Sequence, residues 1–286
     1  MTTNSTNTVI AHSSDATFRT WVAEFIAQCL AVGLTQTSDT GQINTSTVNR
    51  PGTNTDGGYA VFRFNDTLQA TAPIFLKFYF GTAGTATTPR IRIQHGTASD
   101  GAGTVSGLGS VNTENFTNAT APGSTVTLYP SHFCYSATLG VFCFSWKFGG
   151  RGTGLPQANY IGGRSSDSTG APTGDAYAYV TSTGGSTAWT TARSISYLSS
   201  TIYLGSDNFW LVHYGLSASV VGGVPQAFKT YYVTPRVRPW MAMLVVVDAE
   251  ITRGTTFTDT VVGTTSHTYL NAAGSVSNWG AGMLWE

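Results

Sequence analysis

The sequence predicts a mainly β protein, an antiparallel sandwich or jelly-roll-like domain with one N-terminal amphipathic helix and long loops. Three observations predict it. The 286 residues include 46 Thr, 27 Ser and 33 Gly, with 12% aromatic and only 10% charged residues. Abundant Thr and aromatics with few Glu and Lys favour strands. Many short apolar segments alternate with a period of two and are separated by turn signals. Only one stretch carries the three- and four-residue spacing of a helix face. A chain of this length buries roughly 75% of its unfolded surface, enough for a real core.

Residues 1–13 are polar and aperiodic and read as a flexible arm. Residues 14–33 read as the helix, with Ser14 or Asp15 as cap and Gly33 in the left-handed position after the last turn. Its core face is Phe18, Trp21, Val22 and Phe25, continued by Cys29 and Leu30. Such a face must be covered by the chain's own sheet or by a neighbouring subunit. Residues 34–253 read as the β domain. After a turn-rich lead, strands are expected over Tyr59–Phe64, Ile74–Phe80, Arg90–Ile93, Thr125–Tyr129 and Val141–Phe148. Others are expected over Ala176–Thr181, Thr201–Leu204, Phe209–Tyr214, Phe228–Val233 and Trp240–Val247. The Gly/Ser/Thr stretches 96–124, 149–175 and 182–194 read as long loops. Residues 254–286 read as a tail or peripheral hairpin that docks by aromatics, among them Trp279 and Trp285.

Several function classes are excluded by composition. The longest apolar run, Met241–Val247, falls far short of the ~20 residues of a membrane span. The start of the chain has neither a basic nor an apolar leader region, so no signal peptide is expected. A net charge of zero gives no nucleic-acid footprint. Cys29, Cys134 and Cys143 form no metal motif and read as small buried hydrophobes in a reducing compartment.

The strongest candidate contacts are arginines. Arg outnumbers Lys by 11 to 3. Arg90 with Arg92, and Arg236 with Arg238, are spaced to share a strand face. Together with Trp279 and Trp285 they are interface candidates, because Arg and aromatics anchor protein contacts. The competing reading is local ion pairing on a sheet face. Asp248 and Glu250 also share a face, and a carboxylate pair can cleave a glycosidic bond, but residues two apart on a strand are ordinarily its polar side. Asp207 has the same weak claim, and Asp167 with Asp175 lacks calcium-loop spacing. The five histidines are scattered, so no metal site and no cofactor is expected. Trp146, Trp189, Trp210, Tyr177 and Tyr179 are candidate sugar-stacking platforms, with burial in a core as the alternative.

Phe18-Arg19-Thr20-Trp21 and Leu34–Ile43 resemble segments of tailed-bacteriophage virion structural proteins of the minor-tail or accessory type. Gly58-Tyr59, Arg63-Phe64-Asn65-Asp66, Pro73–Lys77 and Gly81 extend the resemblance, which covers residues 15–95. It implies a non-enzymatic subunit of a virion, in the tail, neck, fibre or capsid accessory layer. Its partners would be copies of itself and other virion proteins. A carbohydrate- or receptor-binding virion protein facing a host surface glycan is the second reading. A polysaccharide depolymerase is the third.

Overall fold

The computed structural model describes residues 2–10, 14–83, 88–106, 114–117, 128–147, 157–166, 171–184, 188–197, 228–231, 240–248, 256–259, 267–271 and 279–284. Strand β1 (Thr2–Ile10) precedes helix α1 (Asp15–Ala31). Then come β2 (Thr35–Gln36), β3 (Asp56–Arg63), β4 (Phe75–Ala83), β5 (Thr88–Gly96), β6 (Ala98–Ser99), β7 (Val105–Ser106) and β8 (Glu114–Thr117). The middle of the chain supplies β9 (Leu128–Ser136), β10 (Val141–Lys147), β11 (Gln157–Ser166), β12 (Pro172–Gly184) and β13 (Ala188–Tyr197). The last third supplies β14 (Phe228–Tyr231), β15 (Trp240–Asp248), β16 (Thr256–Asp259), β17 (His267–Asn271) and β18 (Trp279–Leu284).

The protein is mainly β, its strand pairings are antiparallel, and α1 is the one α-helix among the described residues. A six-stranded sheet runs β1-β9-β10-β11-β12-β13, a five-stranded sheet β2-β3-β4-β5-β8, and a second five-stranded sheet β14-β15-β18-β17-β16. The first two share a core, an arrangement consistent with a β-sandwich. Both are meanders over most of their width, as short loops between antiparallel strands require.

The helix explains how the two sheets come together. Ser14 accepts a hydrogen bond from Thr17 N at 3.3 Å while Thr17 Oγ1 accepts one from Ser14 N at 3.0 Å. That reciprocal cap fixes the first turn. Val32 caps the other end, and Gly33 at φ 104° turns the chain back. Phe18, Trp21, Val22 and Phe25 are all fully buried, as their spacing predicts. Phe25 sits at the junction. Its ring centroid lies 5.0 and 5.2 Å from Phe78 and Phe80 of β4, and 5.0 and 5.2 Å from Phe133 of β9 and Phe144 of β10. All four contacts are steeply tilted, the geometry that ring quadrupoles favour. So the helix face is covered by the chain's own two sheets. Leu30 departs from the expected face and is 45% exposed. It is one residue, about 100° of helical rotation, beyond Cys29, and Val32 and Leu34 take up the core beneath it.

Two expectations change, and the third, a hairpin in the last third, gains a further strand. Residues 2–10 of the expected flexible arm form β1, in register with β9 from Thr2↔Ser136 to Ile10↔Leu128. The expected loops hold strands: β6, β7 and β8 within 96–124, β11 and the start of β12 within 149–175, and the end of β12 and the start of β13 within 182–194. Short or polar strands such as β7 and β11 have no apolar period, so alternation could not reveal them; pairing with neighbours does. Residues 254–286 supply β16 and β17, a hairpin, and β18, which pairs with β15 and joins that hairpin to the third sheet. The expected strands Thr201–Leu204 and Phe209–Tyr214 lie outside the described residues.

Candidate functional site on the five-stranded sheet

The alternation along β4 puts Leu76, Phe78 and Phe80 in the core and Lys77 and Tyr79 on the opposite face. Register sets their neighbours on that face. Tyr59, Tyr79 and Arg92 form one row across β3, β4 and β5, and Val61, Lys77 and Gln94 form the next. In the row beyond Tyr79, Gly81 pairs with Asp56 on one side and Arg90 on the other. A Cβ on Gly81 would stand 2.7 Å from Asp56 Oδ1 and closer still to the Thr55 carbonyl. Only a bare Cα there lets the Asp56 carboxylate cross β4.

Asp56 therefore receives both arginines. Arg90 Nη2 donates to Oδ1 at 2.7 Å, and Arg92 Nη2 donates to Oδ2. The guanidinium of Arg92 also lies over the Tyr79 ring, 4.5 Å from its centroid. Arg90 and Arg92 thus share a strand face as the spacing predicts, and on that face they make the local ion pairs of the competing reading. Arg92 keeps 28% of its side chain exposed against 13% for Arg90, so Arg92 is the one with surface left for another contact.

Lys77 is more deeply held. It is a buried cation lodged between two phenol rings, its Nζ 3.8 Å from the Tyr59 centroid and 4.4 Å from the Tyr79 centroid. It donates a hydrogen bond to the Gly103 carbonyl. The ring faces and the carbonyl together replace lost hydration. Tyr79 Oη donates to Gln94 Oε1 at 3.0 Å, and Gln94 Nε2 donates to the Val105 carbonyl at 2.7 Å. These bonds fasten the β6–β7 hairpin over the polar face.

Two carboxylates shape that hairpin. Asp100 accepts from Thr104 N at 2.8 Å and Ala102 N at 2.7 Å. The bonds from Thr104, then that from Ala102, hold its carboxyl below the usual range. Asp39 accepts from Ser99 Oγ and from Gly103 N. Burial works against its charge, but hydrogen bonds from Ser99, Thr37 and Gly103 outweigh it, and its carboxyl also lies below the usual range. Tyr59 Oη donates to the Thr40 carbonyl at 2.7 Å. Its phenol is pushed up, first by burial and then by Asp39 and Asp100 nearby.

A second charged cluster joins the sheets. Arg164 of β11 makes a two-pronged pair with Asp66, Nε to Oδ2 at 2.7 Å and Nη2 to Oδ1 at 2.8 Å, and donates through Nη1 to the Ala72 carbonyl at 2.8 Å. The side chains are 0% and 3% exposed. Sequence reasoning missed this clamp. Arg164 sits in a Gly/Ser stretch, 98 residues from its partner, and no local spacing announces it.

Other sequence candidates fall elsewhere. Arg236, Arg238 and Trp285 lie outside the described residues, as do Glu250, Asp207, Asp167 and Trp210. Trp279 opens β18, and Asp248 ends β15 directly opposite it in register. Asp175, Tyr177 and Tyr179 lie on β12, Trp146 on β10 and Trp189 on β13. All three cysteines carry buried thiols. Among the described residues no three His, Cys, Asp or Glu side chains gather into a possible metal site, and no helix is long and apolar enough to cross a membrane. The ion pairs among the described residues thus lie on the polar face of the five-stranded sheet and at the sheet-to-sheet clamp, where they brace strands and loops. No protein-family model, curated protein or solved structure matches the chain.

Proposed function

We propose that the chain is a non-enzymatic structural subunit of a bacteriophage virion, in its tail, neck, fibre or capsid accessory layer, and that it works through assembly contacts. One observation carries the assembly part. β1 is a nine-residue polar strand at the edge of the six-stranded sheet, and among the described residues it pairs with β9 on one side only. An extended edge offers a row of backbone donors and acceptors to another chain. The virion part rests on the resemblance of residues 15–95. As architecture, we read the first two sheets as the leaves of a sandwich. Their meander order supports this over a jelly roll, whose two Greek keys require longer crossings.

Sedimentation of the full chain over a concentration series tests the assembly reading. Oligomers that weaken when residues 2–10 are deleted support it, and a chain that stays monomeric at every concentration overturns it. Recovery of the chain in purified particles tests the virion reading. The second reading, a receptor- or glycan-binding virion protein, draws on the partly exposed Tyr79 and Arg92 side by side on the sheet face. Retention on host-surface polysaccharide, lost in Tyr79→Ala, would favour it.

A further inference from the structure

Cys134 and Cys143 are direct partners across β9 and β10. Their neighbours on the same strands, Phe133, Tyr135, Phe142 and Phe144, all point into the shared core. Side chains alternate along a strand, so the two cysteines stand side by side on the other face. The next row on that face is Ser136 opposite Val141, and all four side chains are 0–1% exposed. Directly opposed residues in an antiparallel pair have Cα atoms about 4.5 or 5.5 Å apart. Both values fall within the roughly 4.4–6.8 Å span of disulfides. Cys29 is differently placed. It lies on α1, inside the core cluster, and burial pushes its thiol well above the ordinary range.

We propose that Cys134 and Cys143 form a cross-strand disulfide when the chain meets a small-molecule disulfide oxidant, while Cys29 stays a thiol. The exchange balances without a metal or enzyme. One thiolate attacks the oxidant's sulfur–sulfur bond, forms a mixed disulfide and releases one small thiolate. The second cysteine's thiolate then attacks the protein sulfur of that mixed disulfide and expels the other small thiolate. Two cysteine thiols are oxidised, one oxidant disulfide is reduced, and the two protons end on the two released thiols. Register makes the second attack intramolecular and fast. Near-complete burial makes the first attack slow in the folded chain, so the bridge forms during folding or during opening of the β9–β10 hairpin. A chain that folds in a reducing compartment and is later released into an oxidising one would carry the pair first as thiols and then as a staple closing this hairpin.

The test uses the full chain, unfolded under reductant and refolded in a buffer of reduced and oxidised glutathione, then denatured and alkylated. The expected result is that the alkylatable thiols fall from three to one, and that the intact mass drops by two hydrogens. Chymotryptic fragments carrying Cys134 and Cys143 should be joined until reduced. Cys134→Ser should abolish the bridge and leave a glutathione adduct on Cys143. Three alkylatable thiols after refolding, stable glutathione adducts on both residues of the wild type, or a bridge that involves Cys29 would each overturn the proposal. The native chain held in oxidised glutathione gives the second readout. Bridging there should be slower than in refolding, and should quicken in mild denaturant.

Discussion

At the scale of single residues, Phe25 and Arg164 do the same job by opposite chemistry. Phe25 meets rings from both sheets at 5.0–5.2 Å, so its removal opens a cavity at their junction. Neighbouring rings belong to different sheets and cannot all collapse into it. Phe25→Ala is therefore expected to cost about 3–5 kcal/mol in denaturant unfolding, at the upper end for such truncations. Arg164 holds the sheets by charge. Asp66→Ala would strand a guanidinium whose side chain is 0% exposed, and should also cost about 3–5 kcal/mol. Replacing Arg164 by Met together with Asp66 by Leu removes both charges and should recover much of that loss. Arg92→Ala, at a side chain 28% exposed, should cost no more than about 1 kcal/mol. If Asp66→Ala and Arg92→Ala prove equal in equilibrium unfolding, the distinction between clamp and surface pair fails.

At the scale of elements, the helix shows what local chemistry can announce. Ser14 ahead of an apolar three-and-four spacing, and Gly33 behind it, define α1 to within two residues of its observed ends. Ser14→Ala removes one half of the reciprocal cap and should cost about 1 kcal/mol, read as a lower melting temperature with unchanged helix content at low temperature. The strands β3, β4, β5 and β10 are legible for a similar reason, since each buries one face or a continuous apolar run, and β15 is legible because its sequence is itself a continuous apolar run. β1, β11 and β13 are not. Their sequences, such as Thr2–Ile10, carry no apolar period, and their structure comes from backbone pairing with neighbouring strands, for β1 with a partner far along the chain. The arginine pair Arg90/Arg92 was legible as sharing one strand face, yet its partner was not, because Asp56 reaches it only across the gap left by Gly81. Gly81→Ala closes that gap. Its methyl would meet Asp56 and a backbone carbonyl, so the ion pairs and the local strand pairing should loosen together, seen as faster amide exchange at Arg90 and Arg92.

At the scale of the whole molecule, the response to acid follows from where the ionisable groups are buried. His95 of β5 is 8% exposed and pairs with Leu76 in register, and burial lowers its pKa from 6.5 to about 4. The unfolded chain binds a proton at this position near pH 6.5, while the folded chain refuses it until about pH 4. The unfolded state therefore holds more protons within that window, and folding stability falls as the pH is lowered through it. The contribution is complete above pH 6.5 and is gone below about pH 4. With about 1.4 kcal/mol for each pH unit separating the folded and unfolded values, the full loss is roughly 3 kcal/mol. Asp39 acts in the same sense at lower pH. Its depressed pKa supports the fold above the ordinary carboxylate value of 3.8, and that support is lost only at lower pH. The two losses occupy separate ranges, so they can be told apart. Urea midpoints measured from pH 7.5 to 3 should fall between pH 6.5 and 4 in the wild type. In His95→Leu, which keeps an apolar side chain at the site, that segment should flatten while the drop below pH 4 remains. Parallel curves for the two proteins across the upper window would show that His95 accepts its proton in the folded chain as readily as in the unfolded one.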